Sequence, residues 1–238
     1  MIVQHNITSM NANRQLGIVG SNLAKSTEKL SSGYRINRAA DDAAGLAISE
    51  KMRAQVRGLN RASDNAQDGI SLIQTAEGAM DQQHAILQRA RELVVQGSNT
   101  GVLETTEGTD QQKIQDELNE LAKEFERINT DTEFNKKKLL NNSYKSQYFQ
   151  VGANEDQGIS VSIDKVTWTA PTLRANGKDT AASLKNNIDT AITAVTTQRS
   201  KLGAVQNRLS TLLKLMTTLQ RTCSLLSPVS VILIWQMK

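Results

Sequence analysis

The sequence predicts a mainly α protein, a long antiparallel coiled-coil-like helical bundle that carries a small β-hairpin element. Three observations carry that expectation. Of 238 residues, two are proline and 3% are aromatic, so both helix breakers and the bulky side chains of a thick globular core are scarce. Apolar residues recur at 3–4 spacing over stretches much longer than an ordinary helix. That period gives way to short alternating runs between about 134 and 168.

The first helix is expected from about Ser9 to Ser31. Ile7, Met10, Leu16, Val19, Leu23 and Leu30 fall near a 3–4 spacing, with Gly17 and Gly20 weakening the helix from within. The stripe is thin and its polar neighbours are mostly uncharged, so this segment needs partner helices to be stable. Gly33-Tyr34-Arg35 reads as a break. A second helix is expected over about Asp41–Gly97, a proline-free stretch with Ile48, Met52, Val56, Leu59, Ala62, Ala66, Ile70, Ile73, Ala76, Met80, Leu87, Ala90 and Val94 in heptad-like spacing. Such a helix reaches on the order of 80 Å, and the alanines along its seam imply close helix approach. The adjacent acids Asp41 and Asp42 suit the N-terminal end of a helix dipole.

After a polar loop with Gly97, Gly101 and Gly108, a third helix is expected over about Asp110–Asn129. Ile114, Leu118, Leu121, Phe125 and Ile128 step by 4, 3, 4 and 3, a strict a/d seam. Each such side chain contributes about 1.5–3 kcal/mol on burial, before entropy. Tyr148, Phe149 and Val151, then Ile159, Val161 and Ile163, flank a Gly152–Gly158 loop in the manner of a β-hairpin. A last helix is expected from about Thr180, with Leu184, Ile188, Ala191, Val195, Leu202, Val205 and Leu209 in heptad spacing.

Chemistry is thin along this chain. The 28 basic and 24 acidic residues are interspersed, and Lys136-Lys137-Lys138 has no aromatic interleaving, which argues against a nucleic-acid partner. His5 and His84 stand far apart with no HExxH or Cys/His cluster, so neither metal nor cofactor is expected. No GxSxG, GxxxxGK[ST] or GxGxxG occurs, and the chain reads as no enzyme. Cys223 is the only cysteine and forms no internal disulfide. The N-terminus lacks a cleavable signal pattern, and no apolar run reaches the roughly 20 residues that span a bilayer. No membrane partner is expected, and export would use a route independent of such a signal. The informative features are seams, which outnumber the neighbours available within one molecule and so point to assembly.

The stretch LSSGYRINRAADDAAGLAISEKMRAQVRGLNRASDNAQDGISLIQTAEGAM, Leu30–Met80, resembles the N-terminal signature of bacterial flagellins. MNANRQL at Met10–Leu16, LQRARELVVQ at Leu87–Gln96, EFN at Glu133–Asn135, QVGAN at Gln150–Asn154 and TAVTTQRSKLGAVQNRL at Thr193–Leu209 are similar to family motifs as well. The resemblance implies an inner-core helix and export/assembly segment at 1–36, and an outer-core helical rod at 37–209 with its β element at about 134–168. It implies a secreted, extracellular filament subunit for swimming motility. The expected partners are other copies of the chain, the flagellar type III export apparatus and the filament cap. The family's surface-exposed variable region would shrink to roughly 168–178. The family surface seen by the flagellin-sensing Toll-like receptor maps onto Arg89, Leu93, Gln96 and Glu117, residues that equally serve packing between subunits.

The tail departs from the family pattern. Residues 210–238 hold the only cysteine, one of two tryptophans, one of two prolines and an aperiodic apolar end. Read one base back, the codons available to Pro228–Lys238 can spell Ser-Arg-Ile-Arg-Asp-Thr-Asp-Met-Ala-Asn-Glu, similar to the flagellin C-terminal motif. The single-codon residues Trp235 and Met237 still fit. The expectation is a frame shift near Leu209 and Ser210, leaving a chain without the family's C-terminal helix that is exported but does not form filaments. The uncharged run Val231–Trp235 adds an expectation of aggregation. Two other readings stand beside the filament subunit: a hook–filament junction protein, which shares the terminal helices, and a coiled-coil adhesin or binding module.

Overall fold

The computed structural model describes residues 6–99, 110–173 and 177–226. Helix α1 spans Ile7–Ser32, α2 spans Ala43–Gly97, α3 spans Asp110–Asp131 and α4 spans Gly177–Leu226. Between α3 and α4 lie four short strands: β1 (Glu133–Phe134), β2 (Lys137–Lys138), β3 (Gln147–Gln150) and β4 (Gly158–Val161). They form two antiparallel pairs, β1 with β2 and β3 with β4. The chain divides into two compact units, Met1–Arg61 with Met216–Lys238, and Ala62–Leu215. Both boundaries fall inside helices.

In the first unit the ends of α1 are fixed locally. The Asn6 side chain accepts the backbone N–H of Ser9 at 3.2 Å, satisfying one of the helix's orphan donors. Gly33 ends the helix at φ 73° and donates its N–H to the Lys29 carbonyl at 3.0 Å. That left-handed geometry favours a residue without Cβ. The acid pair divides its work. Asp42 Oδ1 accepts the Gly45 N–H at 2.8 Å as the cap of α2. The Asp41 carboxylate folds back onto the backbone N–H groups of Asn37 and Arg38. The bond from Asn37, assisted by Arg38 and by the charges of Lys29 and Lys25, holds Asp41 below the usual carboxylate range.

The second unit contains the main core. Along α2, Ala62, Ala66, Gly69, Ile73, Ala76, Met80, Gln83, Leu87, Ala90, Val94 and Gly97 are all buried. They alternate in steps of 4 and 3 without a break, the signature of a coiled-coil seam. Gly69 and Gln83, the positions the apolar pattern passes over, are where other elements enter. A Cβ on Gly69 would stand 3.3 Å from the Phe149 ring, so β3 packs directly on the α2 backbone there. Gln83 donates its side-chain N–H to Asn129 Oδ1 on α3 at 2.8 Å.

Helix α3 buries Ile114, Leu118 and Phe125, whereas Leu121 and Ile128 of the expected seam are only half-buried. Gln111 and Asn129 take inward positions instead. The helix turns into the core through these two polar side chains, which the apolar pattern passes over. Phe125 meets Trp168 edge to face, centroids 5.7 Å apart at 71°, a favourable aromatic geometry. Trp168 and Pro171 are therefore buried, not part of an exposed variable segment. The Gln115 carboxamide fixes this stretch by donating to the Pro171 carbonyl at 3.2 Å and accepting the Leu173 N–H at 2.6 Å.

The hairpin forms with Gln147 opposite Val161 and Gln150 opposite Gly158. A Cβ on Gly158 would collide with the Tyr148 ring at 2.1 Å, so a larger residue there would make that exposed ring swing aside. The β1–β2 hairpin was not anticipated. Its turn residues Asn135 and Lys136 both sit at positive φ, 48° and 63°, the geometry of the tight turns that match strand twist.

Helix α4 runs past Leu209 to Leu226. The stretch after Leu209 has no glycine or proline before Pro228, and the heptad goes on to a buried Met216. Residues 227–238, including Val231–Trp235, lie outside the described residues, as do His5, Gly101 and Gly108.

Candidate assembly surfaces

Two surfaces are built from the residues that the sequence singled out. The first is α1. Ile7 (76% exposed), Met10, Leu16 (71%), Val19, Leu23 and Leu30 (80%) are all open to solvent, and no residue of this helix is buried. Ile18, absent from the expected stripe, is 47% exposed and joins it. A 26-residue helix with this much uncovered apolar surface has no packing energy of its own. Glu28 anchors its C-terminal end by pairing with Arg38 at 3.0 Å and accepting the Asn37 side chain on its carbonyl. These polar contacts leave the stripe uncovered.

The second surface lies on the outer side of α2 and α3 in the other unit. Arg89 donates Nε and Nη2 to Glu117 Oε1 at 3.0 and 2.9 Å, and Nη1 to Glu92 Oε2 at 3.3 Å. The hydrogen bond with Glu117, then its charge, holds the guanidinium still more firmly in its charged form. Gln96 is exposed two turns further along α2. Leu93, the fourth predicted member, is 1% exposed. It faces inward with Val94 and cannot touch a partner unless the helix pair opens. Arg89, Gln96 and Glu117 thus form an accessible polar patch above a leucine that stiffens it.

Polar residues that apolar patterning misses hold this region in place. Asn129 accepts from Gln83 and donates to the Val166 carbonyl at 3.0 Å and to Glu126 Oε2 at 3.1 Å. Glu126 also pairs with Lys165, and that hydrogen bond is the main reason its carboxyl lies below the ordinary value of 4.5. Gln198 of α4, 4% exposed, donates to the Ser162 carbonyl at 3.2 Å. The one available signal was their position: Gln83 and Gln198 occupy heptad slots between apolar neighbours.

Among the described residues no group of three or more His, Cys, Asp or Glu could hold a metal ion. No described helix is long and apolar enough to cross a membrane. Both surfaces consist of packing and pairing groups without a nucleophile–base arrangement.

Comparison with known proteins agrees with a chain made of such surfaces. The model of the bacterial flagellin N-terminal helical region matches residues 3–145, and that of the C-terminal helical region matches residues 185–226. The second match ends where α4 ends, beyond Leu209. A flagellin of Halalkalibacterium halodurans is 51% identical over 219 residues, covering 90% of this chain and 79% of that protein. A flagellin of Bacillus subtilis is 49% identical, covering 88% and 80%. A flagellar filament core protein of Treponema maltophilum is 41% identical, covering 90% and 80%. The crystal structure of Bacillus cereus flagellin superposes with a TM-score of 0.55 at 25% identity, over 64% of this chain and 88% of that one. With both terminal helical regions matched and half of the residues shared over most of its length, this chain belongs to the bacterial flagellin family.

Proposed function

We propose that α1 is the principal surface through which this chain joins other copies in the filament, and that Ile7, Met10, Leu16, Val19, Leu23 and Leu30 are its contact residues. As a flagellin the chain is a structural subunit of the flagellar filament, not an enzyme, and it self-assembles as a homopolymer. The observation that supports α1 as the assembly surface is its exposure: seven large apolar side chains on one helix, Ile18 included, none covered. Association removes that surface from water, and each side chain then gains about 1.5–3 kcal/mol. The outer seam of Ile114, Leu118, Leu121, Phe125 and Ile128 keeps each subunit rigid while that happens.

The same reading supplies a route and a destination. We infer that the subunit leaves the cell through the flagellar type III export apparatus and is inserted under the filament cap. Membership of the flagellin family supports this. Arg89, Gln96 and Glu117 are proposed to form a subunit contact that also serves as the surface for the flagellin-sensing Toll-like receptor, with Leu93 as its buried support.

Seeded growth tests the main proposal. Purified chain is added to short flagellin seeds, and elongation is followed by light scattering and electron microscopy. Leu16→Asp with Leu23→Asp should stop elongation while leaving the helical content of the second unit intact. Unchanged growth of that double variant would sink α1 as the assembly surface. For the receptor surface, Arg89→Ala should weaken binding to the receptor ectodomain, and equal binding by both proteins would remove it.

A further inference from the structure

The β element is charged oppositely at its two ends. At the open end of the hairpin, where Gln147 faces Val161, Lys136, Lys137 and Lys145 are exposed. None of the three has an ion-pair partner among the described residues, whereas Lys138 is taken up by Glu133 at 3.0 Å. Lys136, Lys137, Ser143, Tyr144 and Gln147 line an open cleft of about 330 Å³. With Glu133 taken up by Lys138 and Asp164 the exposed acid just after β4, the three lysines leave this end net positive.

The tip is the reverse. Glu155 and Asp156 are exposed and make no ion pair among the described residues. The loop is closed on itself, with the Asn154 N–H donated to Gln157 Oε1 at 3.1 Å and Asp156 at φ 59°. Asn65 of α2 reaches the Gln150 carbonyl at 3.1 Å beside it. That contact brings the adjoining turn of α2, with exposed Asp68, to the acidic end. Four-residue strands separate the two ends by roughly 14 Å, so the charges cannot neutralise each other within one molecule. A single repeated contact between unlike patches builds an open helical polymer, because each copy offers both halves of the junction.

We propose that the acidic hairpin tip of one copy docks on the lysine-lined cleft of the next, an ionic head-to-tail contact between neighbouring subunits. The inference rests on the chain being a filament subunit but uses none of the α1 stripe. The lysines and acids steer the approach, and the contact should weaken as salt screens it.

Cysteine cross-linking of the full chain tests the contact. In a Cys223→Ser background, protein with Glu155→Cys is mixed with protein with Lys137→Cys, in concentrated solution and on seeds, and the linked peptides are quantified after mild oxidation. The 155–137 link should exceed the 155–155 and 137–137 links by about fivefold at low salt and lose most of that excess near 0.5 M salt. A mid-hairpin control, Ser160→Cys with Lys137→Cys, should link no better than chance. Asp156→Lys or Lys136→Glu alone should abolish the excess, and the mixture carrying both should restore it. A statistical mixture of links in solution and on seeds alike overturns the contact. Selective linking in a chain that never joins seeds would instead overturn the filament reading and leave the contact standing.

Discussion

Helices α1 and α3 are similar in length, 26 and 22 residues, and both carry an apolar stripe, yet only α3 covers its stripe within the chain. Ile114, Leu118 and Phe125 of α3 are buried, while every stripe residue of α1 is exposed. The flanking residues explain the difference. Helix α3 is laced on its outer face by Arg127 with Glu124 and Asp131, and by Lys123 with Glu120, so it has one wet face and one dry face. Helix α1 surrounds its stripe mostly with Asn, Ser, Thr and Gln and two interior glycines, and among the described residues its one ion pair is at its C-terminal end. A stripe with charged shoulders is completed by its own chain. A stripe without them is left for a neighbour.

The largest expected effect probes α1. Leu16→Asp with Leu23→Asp should reduce seeded elongation more than tenfold, because both charges must be desolvated at a junction. The same variant should change the monomer's unfolding free energy by no more than about 0.5 kcal/mol in urea titration, as expected for exposed sites. A large loss of monomer stability would erase the contrast between the helices. Next, Phe125→Ala should cost about 3–5 kcal/mol in urea denaturation, since it opens a cavity against Trp168.

Asn129→Ala is expected to cost about 1–3 kcal/mol, because Gln83 and the Val166 carbonyl lose their partner in a buried site. The smallest effect concerns acid. Glu126 is held below its ordinary value of 4.5 by Lys165, so its contribution is complete above that value and disappears as pH falls through the lowered one. The side chain is nearly half exposed, so solvent screening keeps the effect modest. Glu126→Gln should therefore flatten the acid limb of a plot of urea midpoint against pH. An unaltered limb would remove the pair from the account.

Much of this contrast was legible beforehand. The period of apolar residues gave α2 and α3 to within a few residues, because a seam repeated over many turns averages out local exceptions. The exposure of α1 followed from its thin stripe. What stayed hidden was polar or small: Gly69 as the seat of Phe149, and Gln83, Asn129 and Gln198 as buried links. Hydrophobic patterning scores such residues as gaps. The β1–β2 turn rests on positive φ at Asn135 and Lys136, a backbone choice that lysine does not advertise. Leu93 was recognised through its motif, but motifs do not say which face of a helix is covered. Beyond Leu209 the spacing continues to the buried Met216, although the composition changes there.

Asn129 has a consequence for how the bundle finds its alignment. Heptad seams repeat, so α3 slid by seven residues along α2 would still drop leucines and isoleucines into apolar holes. The carboxamide would not follow. It needs Gln83 on one side and the Val166 carbonyl on the other, and a displaced α3 strands all three, at about 1–3 kcal/mol for each orphaned group. A polar residue in an otherwise repeating seam thus acts as a key with one keyhole, and turns a packing surface with several equivalent settings into one with a single setting.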